Sequence, residues 1–218
     1  MIIKTSASLL SCDLGKIADE IKRCENAGVD MIHFDVMDGH FVEQITYGAP
    51  VLSCLRKVTD LPIDVHLMVE NPDRQIEFFA KAGADIITIH AESGCNVPAV
   101  LEKIHMLGKK AGIAINPKTP ACRVQDVISQ TDMALVMSVE PGYGGQGFIS
   151  EVLEKITSIR RFADDNGFEN LDIEVDGGIN RTTAAQAVKA GANVLAAGTS
   201  LFKSADMKAE ISALKGNL

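Results

Sequence analysis

Three short stretches put acids and imidazoles where a buried strand would ordinarily carry apolar side chains. In "DMIHFDVMDGHFV", which begins at Asp30, alternation gives one face to Ile32, Phe34 and Val36 and the other to His33, Asp35 and Met37. "PIDVHLMV" repeats the arrangement, with Asp64, His66 and Met68 opposite Val65 and Leu67. "LDIEVDGG" sets Glu174 and Asp176 opposite Ile173 and Val175. Each unpaired buried charge costs on the order of several kcal/mol, so these faces need partners. A divalent cation would be one. His33, Asp35, His66 and Asp176 offer two imidazole nitrogens and two carboxylates, a set that zinc accepts and that manganese, iron or cobalt can also occupy. A His–Asp hydrogen-bond network without metal is the simpler alternative.

A second kind of site lies in the later half. Three glycine-rich turns each follow a strand-like run: "VEPGYGGQGF", "VDGGIN" and "AAGTSLF". Glycine lets backbone N–H groups come close to an anion, and loops after the last two strands of an α/β barrel often bind phosphate. None of the three turns holds Lys or Arg, so anion binding must rest on amides at Gly177, Gly178, Gly198 and Thr199. The turn containing Gly142, Gly144, Gly145 and Gln146 is expected to fold over them. The plainer reading is that these are ordinary turns between strand and helix.

Something must hold these groups together, and the pattern of elements suggests what. Strand-like runs at 3–10, 31–37, 63–69, 85–90, 111–115, 133–139, 171–175 and 194–197 alternate with helical patterns at 14–27, 49–58, 72–82, 97–110, 123–129, 149–166, 182–190 and 205–214. "ENAGVD", "AKAGAD" and "VKAGAN" each end a helix with glycine and enter a strand through Asp or Asn. Eight such units predict a (β/α)8 TIM barrel occupying residues 1–218 as a single domain; a doubly wound open sheet ranks second. In a barrel, catalytic groups gather at the C-terminal strand ends, where His33, Asp35, His66 and Asp176 fall.

Composition narrows the function classes. Of 218 residues 46% are hydrophobic and 23% charged, enough for a large core and against disorder. The net charge of −8 with no basic block argues against nucleic acid and against anionic membranes. The N-terminus "MIIKTSASLL" does not read as a signal peptide, and no run is long and apolar enough to span a bilayer. Five scattered cysteines without a CxxC pair read as reduced thiols, so a cytoplasmic protein is expected.

"HFDVMDGHFV", "DVHLMV", "SVEPGYGGQGF" and "VDGGI" together resemble the ribulose-phosphate 3-epimerase family, in order and over essentially the whole chain. The resemblance implies a barrel that binds a phosphorylated ketose, with a metal, most simply Zn2+, at His33, Asp35, His66 and Asp176. It makes Asp35 and Asp176 the acid–base pair, acting on opposite faces of the substrate. Epimerisation beside a ketone removes a proton on one face and returns one on the other through an enediolate. One carboxyl must therefore be ionised and the other protonated. Ser8 matches a substrate-contacting serine, and Met37, Met68 and Met137 match methionines that close the pocket. His66 and Asp176 would also touch substrate. Homo-oligomers are implied as well. The activity implied is interconversion of D-ribulose 5-phosphate and D-xylulose 5-phosphate.

Several neighbouring groups need roles. Asp38, turned to the helix side, is expected to hold the loop that follows it. Glu174, deeper than Asp176, is expected to support a His ligand. His40 and His90 receive no role. The chain departs from the family pattern at Ala7, at Glu43 and Gln44 (where "PN" is common), at Tyr143 (where Phe is common) and at Thr199. The change at Glu43 and Gln44 lies on a mouth loop and bears on substrate identity, with allulose 6-phosphate as the alternative. Barrels related to orotidine-phosphate decarboxylase carry an Asp-x-Lys-x-x-Asp signature on the third strand, and "DVHLMV" lacks the lysine. A non-catalytic sugar-phosphate sensor would not need both carboxylates.

Overall fold

The computed structural model describes residues 1–216. Eight parallel strands close on themselves: β1 (Lys4–Ser8), β2 (Met31–Met37), β3 (Ile63–Met68), β4 (Ile86–His90), β5 (Lys110–Ile115), β6 (Met133–Met137), β7 (Asp172–Asp176) and β8 (Val194–Ala197). Closure pairs β1 with β8, so no strand edge is left to pair with another chain. The helices are α1 (Ile17–Ala27), α2 (Ala49–Leu55), α3 (Ile76–Ala82), α4 (Val97–Met106), α5 (Cys122–Gln125), α6 (Val152–Asp165), α7 (Arg181–Ala190), α8 (Thr199–Phe202) and α9 (Met207–Leu214). The expected TIM barrel is present and the open sheet is excluded.

The differences from expectation are local. β1 stops at Ser8 because the chain tightens into a 3-10 turn, Leu9–Ser11. The fifth helix is only Cys122–Gln125 and gives way to another 3-10 turn. α8 was not anticipated: four residues cannot display a helical period, and its start coincides with a glycine turn.

The three glycine-ended helices close as their sequences suggest. Gly28, Gly83 and Gly191 cap α1, α3 and α7 in the left-handed region. The Asp or Asn that follows then secures the neighbouring strand. Asp30, Asp85 and Asn193 accept from the backbone N–H of Thr5, Ile63 and Ile173, and Asp132 does the same for Ala111. One polar residue before each even-numbered strand thus pins the start of the odd-numbered strand before it. Each such bond contributes about 1 kcal/mol.

Inside the barrel, side chains stack in layers from alternate strands. Met31, Ile86, Met133 and Val194, from β2, β4, β6 and β8, form a closed apolar layer near the strand starts. Moving toward the C-terminal ends, the interior turns polar: Asp64, Glu174, His33, Thr88, His66 and Asp35 are all buried. Ile32, Phe34, Val36, Val65, Leu67, Ile173 and Val175 face outward into the continuous core beneath the helices. The apolar layer keeps water out from below, so the polar groups can open only upward.

Candidate active site

At the upper end of the interior, donor atoms from three strands converge. His33 Nε2 lies 3.2 Å from Asp35 Oδ1, 3.3 Å from His66 Nδ1 and 3.7 Å from Asp176 Oδ2. His66 Nδ1 is 3.2 Å from Asp35 Oδ1 and 4.0 Å from Asp176 Oδ2. Metal–ligand bonds of about 2.0–2.1 Å arranged tetrahedrally make an edge of roughly 3.3 Å between donors. These separations scatter around that edge, and one atom from each residue falls within 4.8 Å of the others. Two nitrogens and two oxygens at this spacing can hold a divalent cation.

The surrounding bonds fix these groups. β2 and β3 run in register, with Asp35 beside His66 and His33 beside Asp64, which brings the two H-x-D and D-x-H pairs together. Ser8 Oγ donates to Asp35 Oδ2 at 2.8 Å, leaving Oδ1 to face the cluster. Below, His33 Nδ1 faces Asp64 Oδ2 at 3.0 Å and Glu174 Oε1 at 3.4 Å, and Thr88 donates to Asp64. Glu174, expected to support a His ligand, thus stands beside His33, and Asp64 shares that contact.

The protein groups by themselves divide the two acids. Burial alone would raise Asp35, but the charge on His33 and hydrogen bonding to His33 and His66 hold it well below the usual carboxylate range. Burial pushes Asp176 up to about 7, with the charges of Asp35 and Asp64 adding to the rise and His33 opposing it. Burial likewise lifts Glu174 to about 8, helped by Asp64, and lowers His66 to about 4. The two acids facing the same space are thus shifted in opposite directions, Asp35 toward the ionised form and Asp176 toward the protonated one, as two-sided proton transfer requires.

A cavity of about 560 Å3 opens above the cluster. Asp35 and Asp176 form its floor, and Met37, Met68 and Met137 line its wall. Gly177, Gly178, Gly198 and Thr199 bound one side, and Gly142, Gly144, Gly145 and Gln146 pass across it.

A family model described as the Ribulose-phosphate 3 epimerase family matches residues 4–202. The chain belongs to that family. It is 48% identical over 216 residues to a Bacillus subtilis protein named ribulose-phosphate 3-epimerase, covering 99% of this chain and 100% of that one. It is 43% identical over 217 residues to the chloroplastic ribulose-5-phosphate-3-epimerase of Arabidopsis thaliana, covering 99% of this chain and 77% of that protein. Among solved structures, 3-keto-L-gulonate-6-phosphate decarboxylase from Vibrio cholerae superposes with a TM-score of 0.74 at 13% identity, covering 100% of this chain and 97% of that one. At that identity the likeness concerns the fold alone.

Within this epimerase-family barrel, the four donor residues come together, and the residues expected to touch substrate line the cavity with one exception. His66 is absent from the cavity wall; it is fully buried, its ring held among Asp35, His33 and His90. Ser8 lines the cavity while its hydroxyl is engaged by Asp35. No lysine or arginine lines the cavity among the described residues. The turns approach too closely for larger residues. A Cβ on Gly178, where φ is +64°, would sit 2.7 Å from the backbone nitrogen of Phe148. A Cβ on Gly198 would collide with Ser11. Asp38 holds the loop after β2 as expected, accepting from the N–H of His40 and Phe41 with one oxygen and of Glu70 with the other.

Sequence reading missed three features. Ser11 sits beside Thr199, the two hydroxyls 3.4 Å apart, at the edge of the glycine turns. His90 Nε2 lies 2.8 Å from His66 Nε2. Tyr143, half exposed, donates its hydroxyl to Glu43 Oε2 at 2.8 Å, joining two departures from the family pattern across the mouth. None lies within one motif, so no local spacing announces them.

Proposed function

We propose that the chain is a divalent-metal-dependent ketose-phosphate 3-epimerase that interconverts D-ribulose 5-phosphate and D-xylulose 5-phosphate. The observation that carries this reading is the convergence of His33, Asp35, His66 and Asp176 beneath a cavity whose floor is Asp35 and Asp176 and whose side is lined by glycine turns. Asp35 and Asp176 exchange the C3 proton from opposite sides, one acting as base while the other is the acid, with roles reversed in the return direction. His33, Asp35, His66 and Asp176 would hold a divalent cation, whose positive charge would stabilise the negative charge that develops on proton removal. Ser8 keeps Asp35 oriented, Met37, Met68 and Met137 keep water away, and amides at Gly177, Gly178, Gly198 and Thr199 receive the phosphate. Gly142, Gly144, Gly145 and Gln146 cover it.

The finer readings belong to the same proposal. Zinc suits the mixed nitrogen and oxygen donors and their near-tetrahedral spacing. The enzyme works in the cytoplasm as one barrel domain. It forms a homo-oligomer, a reading supported by the exposed Ile45 and Phe78 beside a groove between α2 and α3. No helix among the described residues is long and apolar enough to cross a membrane.

The test is solvent deuterium incorporation at C3 of ribulose 5-phosphate, run beside allulose 6-phosphate. Rapid exchange with the pentulose and at least tenfold slower exchange with the hexulose is expected. Equal or reversed rates would replace the pentulose assignment, and no exchange with either would overturn the epimerase reading.

A further inference from the structure

His66 has a second partner besides the donor cluster. Its Nε2 lies 2.8 Å from Nε2 of His90, and the rings stack with centroids 5.0 Å apart and planes 24° from parallel. On its other nitrogen, His90 Nδ1 lies 3.2 Å from Glu92 Oε2. Glu92 is itself held: its Oε1 accepts from Asn116 N–H at 2.8 Å and from the Thr119 hydroxyl. Both imidazoles are fully buried, and the Phe41 ring lies against His90 at 4.7 Å.

With both rings neutral, proton counting along this line has one solution. A carboxylate only accepts, so Nδ1 of His90 must carry its proton. A neutral His90 then has a bare Nε2, which requires His66 to donate from its own Nε2. A neutral His66 is left with its lone pair on Nδ1, the atom that faces Asp35 and His33. Asp35 pulls the other way, since it would also accept a proton from Nδ1 of His66. Glu92 opposes that pull from the far end of the line.

We propose that Glu92, acting through His90, is a positioning residue that sets the tautomer of His66 so that its Nδ1 presents a free lone pair to the cation. This rests on the reading of the cluster as a metal site. It adds a residue outside every motif, in the loop after β4, on which the affinity of that site depends.

Substitution at Glu92 separates this role from simple loop packing. In Glu92→Gln, the donors at Asn116 and Thr119 claim the amide oxygen, so the amide NH2 turns toward His90. That reverses every proton along the line and places one on Nδ1 of His66. Glu92→Ala removes the bias without reversing it. The proposal therefore expects Gln to be worse than Ala, whereas a packing role expects the near-isosteric Gln to be better. Zinc affinity of the full-length protein, measured by competition with a chromophoric chelator, should fall about 10–100-fold in Glu92→Gln and less in Glu92→Ala. In 15N-histidine spectra of the zinc-free wild type, His66 should be protonated at Nε2 and His90 at Nδ1, with both reversed in Glu92→Gln. Wild-type spectra with His66 protonated at Nδ1, or zinc affinity unchanged in Glu92→Gln, would overturn the inference. Should the wild type bind no divalent cation, the metal-site reading fails on its own, and the wild-type spectra still decide the tautomers.

Discussion

The donor cluster and the glycine turns face each other across one cavity but are built on opposite principles. The cluster is made of side chains on β2, β3 and β7, nearly all of them buried, with Asp35, His33 and His66 each held by a further group. The glycine side is made of backbone on loops, with no Lys or Arg among the described residues that line the cavity. Precision in the cluster comes from strands that cannot move; precision in the turns comes from the absence of Cβ atoms. On the proposed function, the chemistry is therefore placed on strands, and the part that must admit and release substrate is placed on loops.

Substitutions in the two regions should separate along the same line. The largest effect is expected for Asp35→Asn and Asp176→Asn, each lowering kcat by a factor of about 10³ or more, since positioned acid–base groups are worth roughly 10²–10⁴ and both residues also belong to the donor set. Deuterium exchange at C3 measures this directly, with a circular dichroism melt to show that each variant is folded. Near-wild-type exchange in either variant would end the two-acid assignment. Removal of divalent ions by a chelator should give the same loss in the unmodified protein, restored by added Zn2+, Mn2+ or Co2+.

Across the cavity, Gly178→Ala should act on binding instead. Its Cβ would press on the backbone of Phe148 from a left-handed position, so the turn must shift away from where the phosphate amides are needed. An increase in KM on the order of 10–100-fold is expected, with zinc affinity unchanged. A variant that lost zinc instead would show that the two regions are mechanically one.

A smaller effect should appear at the outer support of the cluster. Glu92 is lowered to about 2; burial opposes the shift, and hydrogen bonds to His90, Thr119 and Asn116 outweigh it. A depressed carboxylate stabilises the fold above its ordinary value of 4.5, and that contribution is lost as pH falls toward 2. Wild type should lose on the order of 1–3 kcal/mol more than Glu92→Gln between pH 5 and 2, read from urea midpoints. Parallel pH profiles would show that the carboxylate is not selectively stabilised by folding.

Much of this was legible because the relevant spacings are short. His33 and Asp35, or Asp64 and His66, lie two residues apart, and strand alternation alone puts each pair on one face. The glycine caps of α1, α3 and α7 are equally local. What escaped notice depends on contacts between distant segments. His90 looks like an isolated strand-end imidazole until β3 and β4 are set side by side and His66 is found against it. Glu92 gains its role only when Asn116 and Thr119, beyond the next strand, close over its other oxygen. Helix α8 was hidden because its four residues are too few to show a period.

The smallest effect concerns the side-chain hydrogen bond from Tyr143 to Glu43 between the two loops at the mouth. The loop after β2 is stiff: Asp38 bonds its backbone, Gly39 N–H donates to Gln44, and Val42 is buried against Met37 and Met68. The turn after β6 is held mainly by itself, with the Gln146 side chain donating to the carbonyls of Glu140 and Tyr143. The bond from Tyr143 to Glu43 therefore ties the adaptable loop to the stiff one. Both side chains are exposed, and surface pairs of this kind contribute about 0.2–1 kcal/mol. Tyr143→Phe should accordingly raise KM by no more than about fivefold while leaving kcat and zinc affinity unaltered. Glu43→Ala should do the same, and the double variant should be no worse than either single one, because each removes the same bond. Independent, additive losses would mean that the two residues act separately on substrate, and that the mouth is closed by the glycine turn without help from the loop opposite.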